Sequence, residues 1–329
     1  MNTIRWGILG CGNVTEVKSG PAFQKAEHSY LQAVMRRNSV QAEDYARRHQ
    51  VPKWYSSADD LINDPEVDII YIATPPDTHK EYTIRVTATG KPVYVEKPMA
   101  RTYKECLEMI AACEKAKVPL FTAYYRRSLP AFTKIKTILD QNKIGKVYLV
   151  QIVHYQPPNP RDFNSSDLLW RVIPKISGGG YFVDLACHTL DLLDYYFGAV
   201  IEVNGLATNQ AGLYPAEDTV MASLRFKNDI IASAAWCFTA STHEDRVTIM
   251  GTDGKISFSV FAERDVVMEN EQEKLSWPFI KPAHIQQPHI QSIVNQLNRS
   301  GNCPSDGQSA ARTSRVMDQI LTGWRRQSR

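Results

Sequence analysis

The segment GILGCGN, residues 7–13, constrains this chain more than any other. It follows Ile4–Leu9, a short aliphatic run that reads as a strand, and it leads into a helical stretch from about Thr15 to Gln24. Gly10 and Gly12 match the first two positions of G-x-G-x-x-G/A, and Thr15 occupies the third. Gly10 permits a tight turn. Gly12 lets a pyrophosphate approach the backbone where a helix N-terminus, opened here by Asn13 and Val14, favours anions through its N–H groups and dipole. Thr15 departs from the usual small residue. It either packs or turns its hydroxyl toward a phosphate.

A glycine pair carries this meaning only within an alternating strand–helix series, and the next hundred residues supply one. Tyr30–Met35, Lys53–Tyr55, Asp68–Ala73, Pro92–Val95 and Pro119–Ala123 read as further strands, separated by helical segments such as SVQAEDYARRH, SADDLIND and Tyr103–Ala116. That alternation implies a parallel sheet covered on both faces, in the doubly wound dinucleotide-binding arrangement. After Ala123 the pattern changes. GKVYLVQIVHYQ, VIEVNGLAT, DTVMASLRF, DIIASAAWCF, DRVTIMGTD and GKISFSVF alternate as half-buried strands joined by turns such as KND and TDG. Helices are expected near 131–141, 180–196, 286–298 and 308–323. The fold class is therefore α/β, with a nucleotide-binding domain over 1–123. An α+β domain over 124–329 follows, built on a large, mostly antiparallel, open-faced sheet.

Composition narrows the partners. In 329 residues, 43% hydrophobic and 22% charged content is a globular balance, and a net charge of +3 without a clustered basic face argues against nucleic acid. WRRQSR at 324–329 reads as a solvated tail. No apolar run approaches the ~18 residues of a membrane helix. The chain opens on TIRWGILG without a basic leader. Its six cysteines show neither CxxC nor zinc spacing, so buried reduced thiols, a cytoplasmic location and no metal are expected.

Three further stretches carry chemistry. In LQAVMRRNS, Arg36 and Arg37 stand where an acid would hold the ribose hydroxyls of NAD. Two guanidiniums there suit a 2′-phosphate, which predicts NADP, with NAD the alternative. In PVYVEKPMA, a buried strand runs straight into Glu96, Lys97 and Pro98. Carboxyl ends of parallel strands face the ligand crevice, so these charges point at a site. In GGGYFVDLACHTLDLL, Asp184 and His188 are spaced i, i+4 on one helix face, with Asp191 on a neighbouring one.

These stretches, with ATPPDTH at 73–79, resemble the Gfo/Idh/MocA oxidoreductase family over essentially the whole chain. Glucose–fructose oxidoreductases and inositol dehydrogenases belong to that family. The resemblance implies that Thr74, Pro75 and His79 sit beside the dinucleotide of a Rossmann domain. It also implies that Glu96 and Lys97 lie under the nicotinamide, that the Lys97–Pro98 bond is cis, and that Lys97, Asp184 and His188 line the substrate site. The expected reaction moves a hydride between nicotinamide and a secondary alcohol or carbonyl of a sugar, cyclitol or related polyhydroxy compound. His188 serves as general acid–base, Asp184 orients it or binds a hydroxyl, and Lys97 stabilises developing charge on oxygen.

Tyr124, Arg126 and Arg127 after the sixth strand, and Tyr155, Arg161, Trp170 and Arg171 in or beside a loop-rich segment, are further substrate candidates. His243 and His284 are expected at the surface or an interface. The rival readings are an NAD-assisted glycosidase of the same fold and a non-catalytic cofactor-sensing regulator. Retention of both Lys97 and His188 argues against the regulator. Strands such as DTVMASLRF are too apolar for a wetted face, so a homodimer or higher homo-oligomer through the C-terminal sheet is expected.

Overall fold

The computed structural model describes residues 1–327; the last two residues of the basic tail lie outside them. The chain forms two compact units. The first comprises Met1–Leu129 with Pro282–Ala311, and the second comprises Pro130–Lys281 with the segment from Arg312 onward. A single boundary at residue 123 therefore does not describe the chain, because 124–129 and 282–311 fold with the first unit. The reason is burial. Ile290, Ile293 and Val294 of the helix Gln287–Leu297 enter the same core as Trp6, Phe23 and Tyr94.

The first unit carries β1 (Ile4–Leu9), β2 (Ser29–Met35), β3 (Lys53–Tyr55), β4 (Ile69–Ile72), β5 (Val93–Val95) and β6 (Leu120–Thr122). They form one sheet in the order β3-β2-β1-β4-β5-β6, with every pair parallel. This is the strand order of the doubly wound dinucleotide fold. All residues of β4 and β5 are buried, as continuous apolar runs in a sheet covered on both faces must be. Gly10, Arg36, Ala73, Glu96 and Ala123 directly follow β1, β2, β4, β5 and β6, which brings those residues to one edge of the sheet.

The second unit is built on β7 (Val147–Tyr155), β8 (Val200–Thr208), β9 (Thr219–Phe226), β10 (Ile231–Cys237), β11 (Glu244–Gly251), β12 (Lys255–Phe258), β13 (Val266–Glu269) and β14 (Lys274–Trp277). Their order is β14-β13-β12-β11-β7-β10-β9-β8, and only β7 and β10 pair in parallel. Sequence reading did not anticipate β13 and β14. They are four residues each: β13 alternates over too few positions to stand out as a period, and β14 is largely exposed. Elsewhere the alternation is plain. In β9, Val220, Ala222, Leu224 and Phe226 are buried while Met221, Ser223 and Arg225 face out. Helical residues cover the inner face: Phe182 packs edge-on to Trp236 at 5.0 Å and Phe197 to Phe226 at 5.6 Å.

His289 shows how tightly the returning segment is held. It is fully buried, with Nδ1 3.0 Å from Ser128 Oγ and Nε2 3.1 Å from the Thr122 carbonyl. Burial pushes its pKa from 6.5 down to about 4, so the unfolded chain takes up the proton first. Stability from this group is complete above pH 6.5 and is lost as pH falls toward 4, by roughly 3 kcal/mol in all. Denaturant unfolding between pH 7 and 4.5 should show that loss in the wild type and a shallower slope in His289→Gln; equal slopes would contradict the assignment.

Candidate active site

In the first unit, β1 ends in a turn that only glycine tolerates at its first position. Gly10 has φ +97°, and a β-carbon there would lie 2.7 Å from Thr74 Cγ2. The close approach locks the glycine turn to the loop after β4. At Gly12, by contrast, a β-carbon would find nothing nearer than the Gly10 carbonyl oxygen at 3.9 Å, so the space over this residue is open to a ligand. Residues 13–25 then run as one helix containing a π-turn over Thr15–Ser19. Asn13 is exposed and Val14 half-buried at its start.

Thr15 does not turn toward a phosphate. It is fully buried, donating to the Gly12 carbonyl at 2.8 Å and accepting from the Gly12 N–H at 3.0 Å. Its carbonyl accepts from Tyr45 Oη at 2.9 Å, so this side chain holds the turn from within. Glu16, in the same π-turn, is paired with Arg48 at 2.7 Å and His49 at 2.8 Å. The Arg48 hydrogen bonds hold its carboxyl down to about 2. A negative charge close to the glycine turn is thereby neutralised in place.

Arg36 and Arg37 follow β2, and no acid stands at that strand end. Arg36 is half-buried and reaches Cys11 with Nη1 3.4 Å from the carbonyl; Arg37 is exposed just ahead of the Asn38 cap of the helix Ser39–Arg48. Thr74 and Pro75 are half-buried after β4, and the Thr74 hydroxyl accepts from Thr78 at 2.7 Å. His79 closes the same ATPPDTH segment. It is fully enclosed, with Nε2 2.8 Å from the Thr74 carbonyl and Nδ1 3.1 and 3.2 Å from the Pro98 and Met99 carbonyls. Burial lowers its pKa, against the opposing pull of those carbonyls and Glu96. Its ring ties the loop after β4 to the loop after β5 and leaves no ring nitrogen turned toward a ligand.

Glu96 is also an anchor. One oxygen accepts from Tyr71 Oη at 2.5 Å and Gln286 Nε2 at 2.8 Å, and the other accepts from the Lys97 N–H at 3.1 Å. Tyr94 Oη donates to Gln286 at 2.7 Å, closing a buried network. Lys97 is half-buried, and its bond to Pro98 is cis. After β6, Tyr124 is fully buried and Arg126 nearly so, with Nη1 3.1 Å from Tyr125 Oη. Arg127 donates to the Pro304 carbonyl at 3.0 Å.

In the second unit, Asp184 lies in a π-turn, Phe182–Ala186, and His188 follows in the helix Cys187–Phe197. Widened turns of this kind recur at functional sites because they redirect side chains without breaking the helix. Asp184 is buried and accepts from Arg171 Nε at 3.1 Å, while the Arg171 guanidinium lies 4.5 Å over the Trp170 ring. Three candidates thus form one cluster. Arg161 instead pairs with Asp167 at 2.6 Å on the surface. Tyr155, half-buried, ends β7 opposite Cys237 and Glu244. His243 is exposed and His284 half-buried.

Sequence reading missed a support around His188. Its ring meets Phe261 edge-on at 5.7 Å, and Phe261 meets His154 at 5.0 Å. Asp245 holds that loop by accepting from the N–H groups of Val260, Phe261 and Ala262 at 3.1, 2.6 and 2.8 Å. Burial works to raise the Asp245 pKa, but His154 and these amides outweigh it and leave it lowered. Glu217 was missed as well. It is buried beside the glycine run with its pKa pushed up to about 7 by desolvation. Neither acid belongs to a local motif. Among the described residues no cluster of His, Cys, Asp or Glu could hold a metal, and no helix is long and apolar enough to cross a membrane.

A family model described as "Oxidoreductase family, NAD-binding Rossmann fold" matches residues 4–124, and one described as "GFO/IDH/MocA C-terminal domain" matches residues 132–257. Oxidoreductase P35 of Formosa agariphila is 41% identical over 317 residues, covering 96% of this chain and 97% of that protein. The chain belongs to the Gfo/Idh/MocA oxidoreductase family. Within it, the 1,5-anhydro-D-fructose reductase of Ensifer adhaerens is 25% identical, over 92% of this chain and 91% of its own. A levoglucosan dehydrogenase solved with NADH and levoglucosan shares the fold, with a TM-score of 0.88 at 20% identity, covering 98% of this chain and 97% of that one. The glycine turn of β1 and the open-faced sheet thus belong to an NAD-binding oxidoreductase.

Proposed function

We propose that this oxidoreductase uses NADP(H), with NAD(H) the weaker partner, and acts on a secondary alcohol or carbonyl of a sugar, cyclitol or related polyhydroxy compound. The observation that carries the reading is the row of candidate groups at the carboxyl ends of the parallel strands, where such folds bind ligands. The open space over Gly12 and the helix opened by Asn13 and Val14 suit a pyrophosphate. Arg36, leaning on the glycine turn, and Arg37 beside it suit a 2′-phosphate. Thr74, Pro75, Glu96 and Lys97 complete the cofactor set, with His79 holding its loops from behind. When bound, the dinucleotide supplies the hydride donor or acceptor.

The protein's own groups handle the substrate oxygen. The Lys97 ammonium stabilises negative charge developing on it. His188 takes its proton, or returns one in the reverse direction. Asp184, held by Arg171, orients the imidazole or binds a neighbouring hydroxyl. Tyr124, Arg126, Tyr155, Trp170 and Arg171 remain the substrate-contact candidates. The polyhydroxy class is favoured by the similarity to the 1,5-anhydro-D-fructose reductase named above, whose name gives a sugar derivative. Buried thiols such as Cys11 and Cys113 suit a reducing cytoplasm.

A second copy of the chain is the partner we infer for the outer sheet face. Leu206, Met221, Ala235 and Val153 are cross-strand neighbours there, and Leu206 and Met221 are 75% and 57% exposed. An apolar row of that kind is the mark of an interface.

Three measurements test this. In cofactor titrations the wild type should hold NADPH more tightly than NADH, and Arg36→Asp should lose about 1.5–3 kcal/mol toward NADPH alone; equal wild-type affinities would sink the preference. Lys97→Ala and His188→Ala should each lose about 10²–10⁴-fold in turnover on an accepted polyol, with much smaller changes in cofactor affinity. Near-wild-type turnover in both would remove their catalytic assignment. Light scattering should find a dimer or larger at micromolar concentration that Met221→Glu dissociates; a wild-type monomer would refute the interface.

A further inference from the structure

The three glycines ahead of the Asp184 helix are gripped from two sides. Arg325, in the helix Thr322–Gln327, donates to the Gly178 carbonyl at 2.7 Å and to Asp318 at 2.6 Å. Opposite, the Glu217 carboxyl accepts from the Gly180 N–H at 2.7 Å. The Gly180 carbonyl accepts in turn from the Asp184 N–H at 3.2 Å. A β-carbon at Gly180 would lie 2.8 Å from Ala216 Cβ and 2.9 Å from the Glu217 carbonyl oxygen, so only a glycine allows this approach. One buried carboxyl from the loop ahead of β9 therefore reaches Asp184 through a single residue.

We propose that Glu217 is a positioning residue for Asp184, fixing through Gly180 the register at which the π-turn begins. The inference rests on the reading of Asp184 as a substrate-site residue. The hydrogen bond to Gly180 sets the orientation of that residue, and with it the carbonyl that receives the Asp184 N–H. Where the turn Phe182–Ala186 starts decides how the Asp184 carboxylate is presented beside Arg171. The charged and titratable groups facing Glu217 are Arg325 from the C-terminal helix, Asp218 next to it in the chain, and Tyr214 of the preceding loop. Burial raises its carboxyl, Gly180 and Arg325 work against that, and Asp218 adds to it. Glutamine offers the same acceptor oxygen at the same reach without titrating. Aspartate keeps the charge and falls one methylene short.

The test compares Glu217→Gln, Glu217→Asp and Glu217→Ala in the full chain, with Asp184→Asn alone and combined with each. Myo-inositol and D-glucose are the first substrate probes, and whichever polyol the wild type oxidises is used throughout. Glu217→Gln should keep kcat within about threefold, while Glu217→Asp and Glu217→Ala lose about tenfold or more, as misplacement near reacting groups does. NADPH affinity should stay within about twofold in all of them, because the altered group lies in the other unit from the glycine turn. In the Asp184→Asn background the aspartate and alanine changes should cost nothing further, the signature of two residues acting as one. Additive losses, or an unaffected kcat in Glu217→Asp, would overturn the positioning role while leaving Asp184 in place. Wild-type kcat in Asp184→Asn would overturn both. The aspartate variant keeps the comparison available if alanine does not fold.

Discussion

A carboxylate buried at the end of a strand has to be met by donors, and the first unit is arranged round that requirement. Glu96 is 6% exposed at the end of β5. Leaving such a charge unanswered costs several kcal/mol. Three donors meet it: the Tyr71 hydroxyl, the Gln286 amide and the next peptide N–H, that of Lys97. Tyr71 in turn stacks on Tyr94 at 4.7 Å, and Tyr94 bonds Gln286. Because one of the donors stands 190 residues further along the chain, the segment 282–311 must return to this sheet. The same network holds the peptide that carries Lys97, so stability and the candidate chemistry share their supports.

The second unit answers its buried acids in different ways, and the environments separate them. Asp245 receives three backbone N–H groups and sits beside His154, which keeps it ionised despite burial. Asp184 has a guanidinium partner in Arg171. At Glu217 desolvation outweighs the Gly180 amide, its own backbone amide and Arg325, so its carboxyl rises to about 7. Asp245 and Glu217, chemically similar and both buried, thus take opposite pKa shifts from the donors each one meets. His154 and His188 share Phe261, whose loop Asp245 secures. The candidate acid–base helix is therefore supported at its start by Glu217 and along its side by Asp245.

Much of this was legible in the residues. The period-two alternation in DTVMASLRF became β9, and the buried runs DIIYIA and PVYV became β4 and β5. The glycines of GCGN marked the turn after β1. Other features carried no readable mark. Thr15 was open to two readings, and only the fold showed its hydroxyl turned back on Gly12. Nothing in ATPPDTH showed that the His79 ring meets the Thr74, Pro98 and Met99 carbonyls. The strand β13 was too short, and β14 too short and too exposed, to stand out as a pattern.

What the sequence determined by itself was local: strand and helix periods, the glycine turn, the basic pair after β2, and the charged strand end at Glu96 and Lys97. These depend on neighbours a few residues away, and the chain writes those neighbours side by side. Only the tertiary structure decided which distant group meets each buried polar atom: Gln286 for Glu96, Gly180 for Glu217, Arg171 for Asp184. Hydrogen bonds act over about 3 Å. Which residues come that close across tens or hundreds of positions is set by packing the whole unit at once, so no single stretch of sequence contains the answer.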